Sequence, residues 1–172
     1  ADNDFIDAAN PLYVDSHGDL GLIDLAGAGT NTFTGTGSDL AVRIQGGTIP
    51  DGTTWEYDRA TSGAVLVIDA PLSSSHGRNS TNGSVRILPG GILKGGPAAM
   101  FDLGPTSRFD VEGTQAEPVV FTSIDDDTVG GDTDGDGSAS QGERLSAIFK
   151  SDQGGAWEFV GGAFGVDLDR VG

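Results

Sequence analysis

The chain has 172 residues, with 26 Asp and Glu against 9 Lys and Arg, and a formal net charge of −17. This charge argues against nucleic acid or an anionic membrane as a partner, because both bind to basic protein surfaces. The chain has no cysteine, which excludes a disulfide framework and thiol chemistry. The length is typical of one domain, or of one domain with an arm.

Two features of the sequence bear on where the protein is found. No stretch is apolar enough to predict a transmembrane helix, so insertion into a membrane is not expected. The chain begins with Ala-Asp-Asn-Asp rather than with Met, which is typical of a mature N terminus left after cleavage of a signal peptide. We therefore predict a secreted protein that is extracellular or located at the cell surface.

Residues 1–38 are predicted to form an extended N-terminal arm. The beginning of this segment is polar, and residues 20–25 form a short, strand-like apolar run. The Gly/Thr-rich tract 26–37 predicts a flexible connector or a poorly specified strand. Such an arm either folds back to cap its own subunit or adds a strand to a neighbouring subunit, as in donor-strand exchange.

Residues 39–172 show the pattern of short β-strands separated by turns, and we predict that they form one domain. The turns contain Gly and Pro, as in Pro89-Gly90-Gly91, and short strands at such close spacing predict an all-β sandwich, barrel or solenoid. The predicted strands cover residues 40–44, 64–68, 85–88, 91–94, 100–103, 109–111 and 119–121.

The spacing of the strands favours a β-solenoid, with a β-sandwich as the alternative. The strands between the turns are too short to span a sandwich. Residues 85–88, 109–111 and 147–150 are predicted to stack as equivalent positions of coils about 20–25 residues long. The Ser/Asn/Gly-rich residues 73–83 are predicted to form a loop at one corner of a coil.

Residues 85–137 resemble bacterial extracellular proteins that fold as a right-handed parallel β-helix. The resemblance is carried by the segments VRILPGG at 85–91 and VEGTQAEPVVFTS at 111–123, and by the acidic insert 125–137 that follows a strand. It covers about a third of the chain. It implies a short right-handed parallel β-helix with an acidic calcium-binding insert.

Residues 132–143 match in full the calcium-loop pattern D-x-[DN]-x-[DN]-G-x₅-E. Ca²⁺ binds six to eight oxygen atoms at about 2.3–2.6 Å, and alternate side chains can converge on one ion if a glycine permits a sharp turn. Without a cation these carboxylates would repel one another, so Ca²⁺ is the predicted cofactor. The predicted ligands are Asp132, Asp134, Asp136, the backbone carbonyl of Ser138, Ser140 directly or through water, and a bidentate Glu143.

Residues 125–143 form the wider calcium-loop region, because three further aspartates precede the matching pattern. Asp125, Asp126 and Asp127 either bind a second Ca²⁺, complete the shell of the first, or form a solvated turn. The loop is not predicted to join two helices, because position 8 is Ala139 rather than a large apolar residue, and residues 119–124 form a strand.

Other groups of polar residues suggest chemistry less clearly. Asp102, Asp110 and Glu112 could line a carbohydrate-cleaving groove, with Lys94 or Arg108 as the base of a lyase, but their spacing is that of solvent-facing strand residues. The histidines, His17 and His76, lie far apart in polar segments and are assigned to the surface. Trp55 and Tyr57 are predicted to belong to the core or a cap rather than to a sugar-stacking platform. No catalytic residue is predicted.

The leading functional hypothesis is a secreted, calcium-binding structural or adhesive β-solenoid protein. A β-helix presents unpaired strand edges at both ends, and a contact repeated head to tail produces a filament. The predicted partners are copies of the same chain, assembled into a fibre or surface layer, together with surface glycans. The alternative is a carbohydrate-active or glycan-binding β-helix domain, lyase-like or hydrolase-like, from a larger protein.

Overall fold

The computed structural model describes residues 3–9, 12–15, 19–20, 23–74, 83–104 and 106–137, together with the backbone of residues 148–151. No helix in these ranges is long and apolar enough to cross a membrane. The short helical elements are α1 (Arg59–Ser62) and a 3₁₀ turn (Gly37–Leu40). The strands are β1 (Asp4–Ile6), β2 (Leu12–Val14), β3 (Thr32–Thr34), β4 (Ala41–Ile49), β5 (Thr54–Tyr57), β6 (Val65–Ser74), β7 (Ser84–Ile87), β8 (Ile92–Gly95), β9 (Met100–Leu103), β10 (Phe109–Val111), β11 (Val120–Ser123) and β12 (Ile148–Ser151).

The strand pairs of the described residues are parallel, and they stack into three faces. The first face has the strand order β11-β8-β6-β4-β2, and the third has the order β10-β7-β5. Between them, the second halves of β4 and β6 pair with each other, and β9 and β12 continue this second face. The prediction of an all-β, parallel β-helix is confirmed, with about four coils. The β-sandwich alternative is wrong, because such sandwiches are built from antiparallel strands.

The two longest strands, β4 and β6, each serve two faces because they bend at a bulge. Ile44 pairs with Ile68 and Gln45 pairs with Ala70, so Asp69 is an extra residue in β6. A bulge of this kind bends the strand that carries it. The bulge therefore turns the chain from the first face into the second.

The coils are of unequal length and mostly longer than predicted. Val42, Leu66 and Leu93 are partners in turn, so these coils take 24 and 27 residues. Trp55 and Val85, which are partners on the third face, lie 30 residues apart. Part of this length comes from β6, which extends through Ser74 into the segment predicted to be a corner loop.

The predicted stacking of residues 147–150 with residues 85–88 and 109–111 is wrong. β7 and β10 do pair with each other on the third face, but β12 pairs with β9 on the second face. The reason is the order of the faces. β11 lies on the first face, and β12, the next strand that the structure describes, lies on the second face.

Described residues of the segment predicted as an N-terminal arm pair with later strands of their own chain. β2 pairs with β4, and isolated bridges join Asp19 to Thr48 and Leu25 to Tyr57. β2, Asp19 and Leu25 thus lie in turn on the same three faces as the next coil, and they belong to the first coil. β1 and β3 form a separate two-stranded sheet.

The core is built from inward-facing residues that stack in rows from one coil to the next. On the third face, two such rows have residues that are all at most 3% exposed. Burying a large apolar side chain contributes about 1.5–3 kcal/mol, so these rows stabilise the stacking. The assignment of Trp55 and Tyr57 to the core is confirmed. The two rows are Trp55, Val85 and Phe109, and Tyr57, Ile87 and Val111.

Candidate metal centre and the strap that carries it

The acidic insert lies against the outer surface of the first face. We call residues 124–137, which directly follow β11, the strap. Residues on the outer side of a β-helix ordinarily face water. Here three outward-facing residues are 0% exposed: Val65 and Val67 on β6, and Lys94 on β8. The strap therefore covers this part of the sheet.

One row of outward-facing residues holds the strap through hydrogen bonds. The row consists of Arg43, Val67, Lys94 and Thr122, which are partners on β4, β6, β8 and β11. Its three polar members each donate to the strap. The bonds run from Thr122 Oγ1 to the Asp126 carboxylate, from Lys94 Nζ to the carbonyl oxygen of Gly131 at 2.5 Å, and from Arg43 Nη1 to the carbonyl oxygen of Thr133 at 3.5 Å.

The order of these bonds gives the direction of the strap. As the strap proceeds from Asp126 to Thr133, its partners move from β11 through β8 to β4. The strap therefore runs back along the long axis of the β-helix and crosses several coils. Arg43 is also held by Asp69, at 3.0 Å between Nη2 and Oδ2.

Two glycines allow the strap to lie close to the sheet. Gly130 has a φ of +72°, and a methyl group added there would lie 3.1 Å from a methyl group of Val65. Gly37, just before β4, has a φ of +56°, and a methyl group there would lie 2.6 Å from the carbonyl oxygen of Asp132. A side chain at either position would strain the backbone and push the strap outward.

Three aspartates of the strap bring their carboxylates together. One side-chain oxygen from each of Asp127, Asp132 and Asp134 lies within 4.8 Å of the other two. Two oxygens bound to the same Ca²⁺ are at most about 5 Å apart, because each lies about 2.3–2.6 Å from the ion. The separations therefore fit three ligands of one ion.

An unsatisfied oxygen supports a cation at this position. Asp127 Oδ1 is buried and has no hydrogen-bond partner among the described residues. A buried charged oxygen without a partner is costly, and a cation between the three carboxylates would provide one. Carboxylate oxygens are ligands for hard cations such as Ca²⁺ rather than for soft metals, so the residues present fit Ca²⁺.

The carboxylates of Asp132 and Asp134 differ in electrostatic environment. Asp132 accepts hydrogen bonds from the backbone N–H of Gly135 at 2.6 Å and of Gly137 at 3.1 Å. Both bonds lower the pKa of Asp132, and the bond from Gly135 has the larger effect. Partial burial raises the pKa of Asp134, and the neighbouring Asp132 adds to this effect. Asp134 is therefore the member of this pair that a falling pH neutralises first.

Lys94 provides a positive charge beneath the group. Burial lowers the pKa of its ammonium, while Asp127 and Asp126 act to raise it. Burial raises the pKa of the Asp126 carboxyl, but the hydrogen bonds from Thr122 and Thr128 lower it by more, so that this pKa lies below its ordinary value. The strap and the sheet thus meet at an interface where one buried ammonium faces several carboxylates.

The structure brings together three of the nine predicted metal-binding residues. These are Asp127, from the first acidic run, and Asp132 and Asp134, from the calcium-loop pattern. The group does not include Asp125, Asp126 and Asp136, and Asp126 instead accepts hydrogen bonds from Thr122 and Thr128. Ser138, Ser140 and Glu143 lie outside the described residues.

The residues considered for carbohydrate cleavage are distributed over the three faces of the β-helix. Glu112 is paired with Arg86 and Asp110 with Arg108 on the third face. Asp102 belongs to β9 on the second face, and Lys94 lies under the strap on the first. His17 and His76 fall outside the described residues.

Sequence reasoning missed the three donors that hold the strap, Arg43, Lys94 and Thr122. Lys94 was considered only as the base of a lyase. The alternation of residues in β8 places Lys94 on the outer side, where a lysine is expected in water. The one available signal was a lysine that directly follows Ile92 and Leu93 on a short apolar strand.

No known protein family, curated protein or solved structure matches the chain. The resemblance to bacterial extracellular β-helix proteins therefore stays a prediction.

Proposed function

We propose that this protein is a secreted, calcium-binding structural or adhesive β-helix, in which Ca²⁺ fastens the strap to the first face. The observation that carries the proposal is the convergence of Asp127, Asp132 and Asp134 within 4.8 Å. The buried and unpartnered Asp127 Oδ1 supports it. Bound Ca²⁺ would supply the charge that lets the three carboxylates lie together.

The calcium site is tested by titration calorimetry on two neighbouring aspartates. Asp127→Asn removes a member of the group, and we expect Ca²⁺ affinity to fall about tenfold or more, equivalent to about 1.4 kcal/mol or more. Asp125→Asn removes the same charge two residues away and outside the group, so it is the matched control. Equal losses in both variants would show a general effect of charge and contradict the proposed site.

The structural role includes assembly of copies of the chain end to end. In the described residues β2 pairs only with β4 and β11 only with β8, so each ends the first face. Tyr13 on β2 is 52% exposed, and Ile6 on β1 is 67% exposed. An open strand edge beside exposed apolar residues favours pairing with another chain. Because the two ends of the face differ, repeated pairing would form a filament.

Assembly is tested by electron microscopy and light scattering, with Ca²⁺ and after chelation. Filaments that loosen or shed subunits after chelation are the expected result. Tyr13→Lys places a charge on β2, the end strand of the first face, and should prevent assembly. Thr48→Lys places the same charge at an exposed position of β4, which has partners on both sides, and should not. Single particles in both conditions would contradict assembly and leave calcium with a local role.

A further inference from the structure

The strap contacts strands that do not contact one another. In a stack of coils each coil contacts only its neighbours, so stability is close to a sum of local terms and the ends can open separately. Here Thr122 on β11 and Arg43 on β4 are separated by β8 and β6 in the sheet. Both nevertheless donate to the strap.

We infer that the strap joins the coils from β4 to β11 into one cooperative unit, and that calcium controls this coupling. The inference rests on the proposed calcium site. It extends that site from a local staple to a device that sets how much of the β-helix opens at once.

The positions of the three aspartates explain why calcium is required. Asp127 comes directly after Asp126, which accepts the hydrogen bond from Thr122 that anchors the beginning of the strap to β11. Asp132 and Asp134 flank Thr133, whose carbonyl oxygen binds Arg43 on β4. A cation shared by the group therefore ties the β11 end of the strap to its β4 end. Without it, the carboxylates repel one another and favour separation of the two ends.

The chain's own contacts keep the middle of the strap in place. Lys94 Nζ holds the carbonyl oxygen of Gly131, and Gly130 lies against Val65. These contacts involve β8 and the beginning of β6, which are direct neighbours in the sheet. Removal of calcium is therefore expected to release the contact with β4 first, while the contact with β8 persists.

The coupling is tested by hydrogen exchange of the full chain, followed by mass spectrometry. With saturating Ca²⁺, the backbone amides of β4 and β11 should exchange through openings of equal free energy, and these free energies should depend equally on denaturant concentration. After chelation, β4 should exchange at least about tenfold faster than β11, since one anchor is worth about 1.4 kcal/mol or more.

A matched pair of glycine variants separates the strap from general backbone strain. Gly37→Ala forces a methyl group against the carbonyl oxygen of Asp132, whereas Gly52, with a φ of +70°, has nothing within 4 Å of an added methyl group. Both substitutions strain the backbone, but only Gly37→Ala displaces the strap. In Ca²⁺, we expect Gly37→Ala to show the exchange pattern of chelated wild type and Gly52→Ala to keep the coupled pattern.

A second pair of variants covers the case in which Gly37→Ala does not fold. Arg43→Gln removes the donor to Thr133, while Asp69→Asn removes the ion-pair partner of Arg43 and leaves the donor in place. Only Arg43→Gln should uncouple β4 from β11.

The outcomes distinguish the inference from the proposed function. Calcium binding by calorimetry together with independent exchange of β4 and β11 would overturn the coupling and leave the calcium site standing. Absence of any calcium binding to wild type would overturn the proposed function, and with it calcium control of the strap. The inference would also be overturned if Gly52→Ala uncoupled the strands as strongly as Gly37→Ala, or Asp69→Asn as strongly as Arg43→Gln.

Discussion

At the scale of single residues, the buried Tyr57 links titration to stability. Its hydroxyl is buried, donates to the carbonyl oxygen of Ala64 at 2.7 Å and accepts from the backbone N–H of Ile92 at 3.3 Å. Burial raises the pKa of Tyr57 far above its ordinary value of 10.0. The folded chain therefore keeps the phenol neutral at pH values where the unfolded chain releases its proton.

We predict that stability falls above about pH 10 and that Tyr57→Phe reduces this fall. A raised pKa in the folded state contributes stability that is fully present below the unfolded pKa and is lost as the pH rises above it. One such group lowers the free energy of unfolding by about 1.4 kcal/mol per pH unit. Urea unfolding from pH 7 to 11 measures the slope.

The control for this prediction is the exposed Tyr13. Tyr13→Phe should leave the alkaline slope unchanged. Tyr57→Phe should cost about 1 kcal/mol at pH 7, because the carbonyl oxygen of Ala64 loses its donor, yet it should show the shallower slope above pH 10. Identical slopes in both variants would contradict a role for the Tyr57 phenol.

At the scale of elements, strand β6 is buried on both sides for different reasons. Leu66 faces the core, whereas Val67 faces outward and is 0% exposed because the strap lies over its row. Leu66→Ala should cost about 2–5 kcal/mol with or without calcium. Val67→Ala removes two buried carbons and should cost about 1.6 kcal/mol with calcium.

The two substitutions should respond differently to chelation, which denaturant unfolding in Ca²⁺ and in chelator can measure. Once the strap loosens at its β4 end, water reaches Val67, which lies next to Arg43 in the outer row, and the cost of Val67→Ala should shrink. The cost of Leu66→Ala should not. A cost for Val67→Ala that is independent of calcium would show that the strap is not what buries this residue in solution.

The strands could be predicted from the sequence because their signals are local. In short runs such as residues 64–68 and 109–111, apolar side chains are consecutive or alternate with polar ones, and turn residues lie on either side. Strands β6 and β10 contain most or all of these residues. Their equivalence on stacked coils was predictable where the spacing was regular, as for β7 and β10. It failed for β12, which pairs with β9 on the second face instead of continuing the third face.

The strap could not be predicted because its contacts join residues far apart in the chain. Lys94 and Gly131 are separated by 37 positions and Arg43 and Thr133 by 90. The calcium-loop pattern identified Asp132 and Asp134 from spacing alone, but it contains nothing about the sheet beneath them. Likewise, Phe33 lies in a tract predicted to be flexible or poorly specified, and its stacking on Phe5 at 4.8 Å between ring centroids is a long-range contact.

At the scale of the whole molecule, a net charge of −17 means that any cation relieves some repulsion. Such relief is not specific, since it depends on ionic strength and acts on exposed charges in general. A specific calcium effect must therefore exceed what sodium at equal ionic strength provides. The distinction matters because the strap carries six aspartates, three of them outside the metal group, and lies over the buried Lys94.

We predict that Ca²⁺ raises the melting temperature well beyond this general effect. At a concentration about 100 times the Kd, binding to the folded state alone adds about 2.7 kcal/mol, which for a chain of this size is a shift of roughly 5–10 °C. Mg²⁺ should give less, because it requires shorter bonds and a more regular shell. Differential scanning calorimetry in Ca²⁺, Mg²⁺ and NaCl at equal ionic strength measures the difference. Asp134→Asn should remove the specific part and leave the sodium response intact, so an unchanged calcium shift in this variant would place the ion elsewhere.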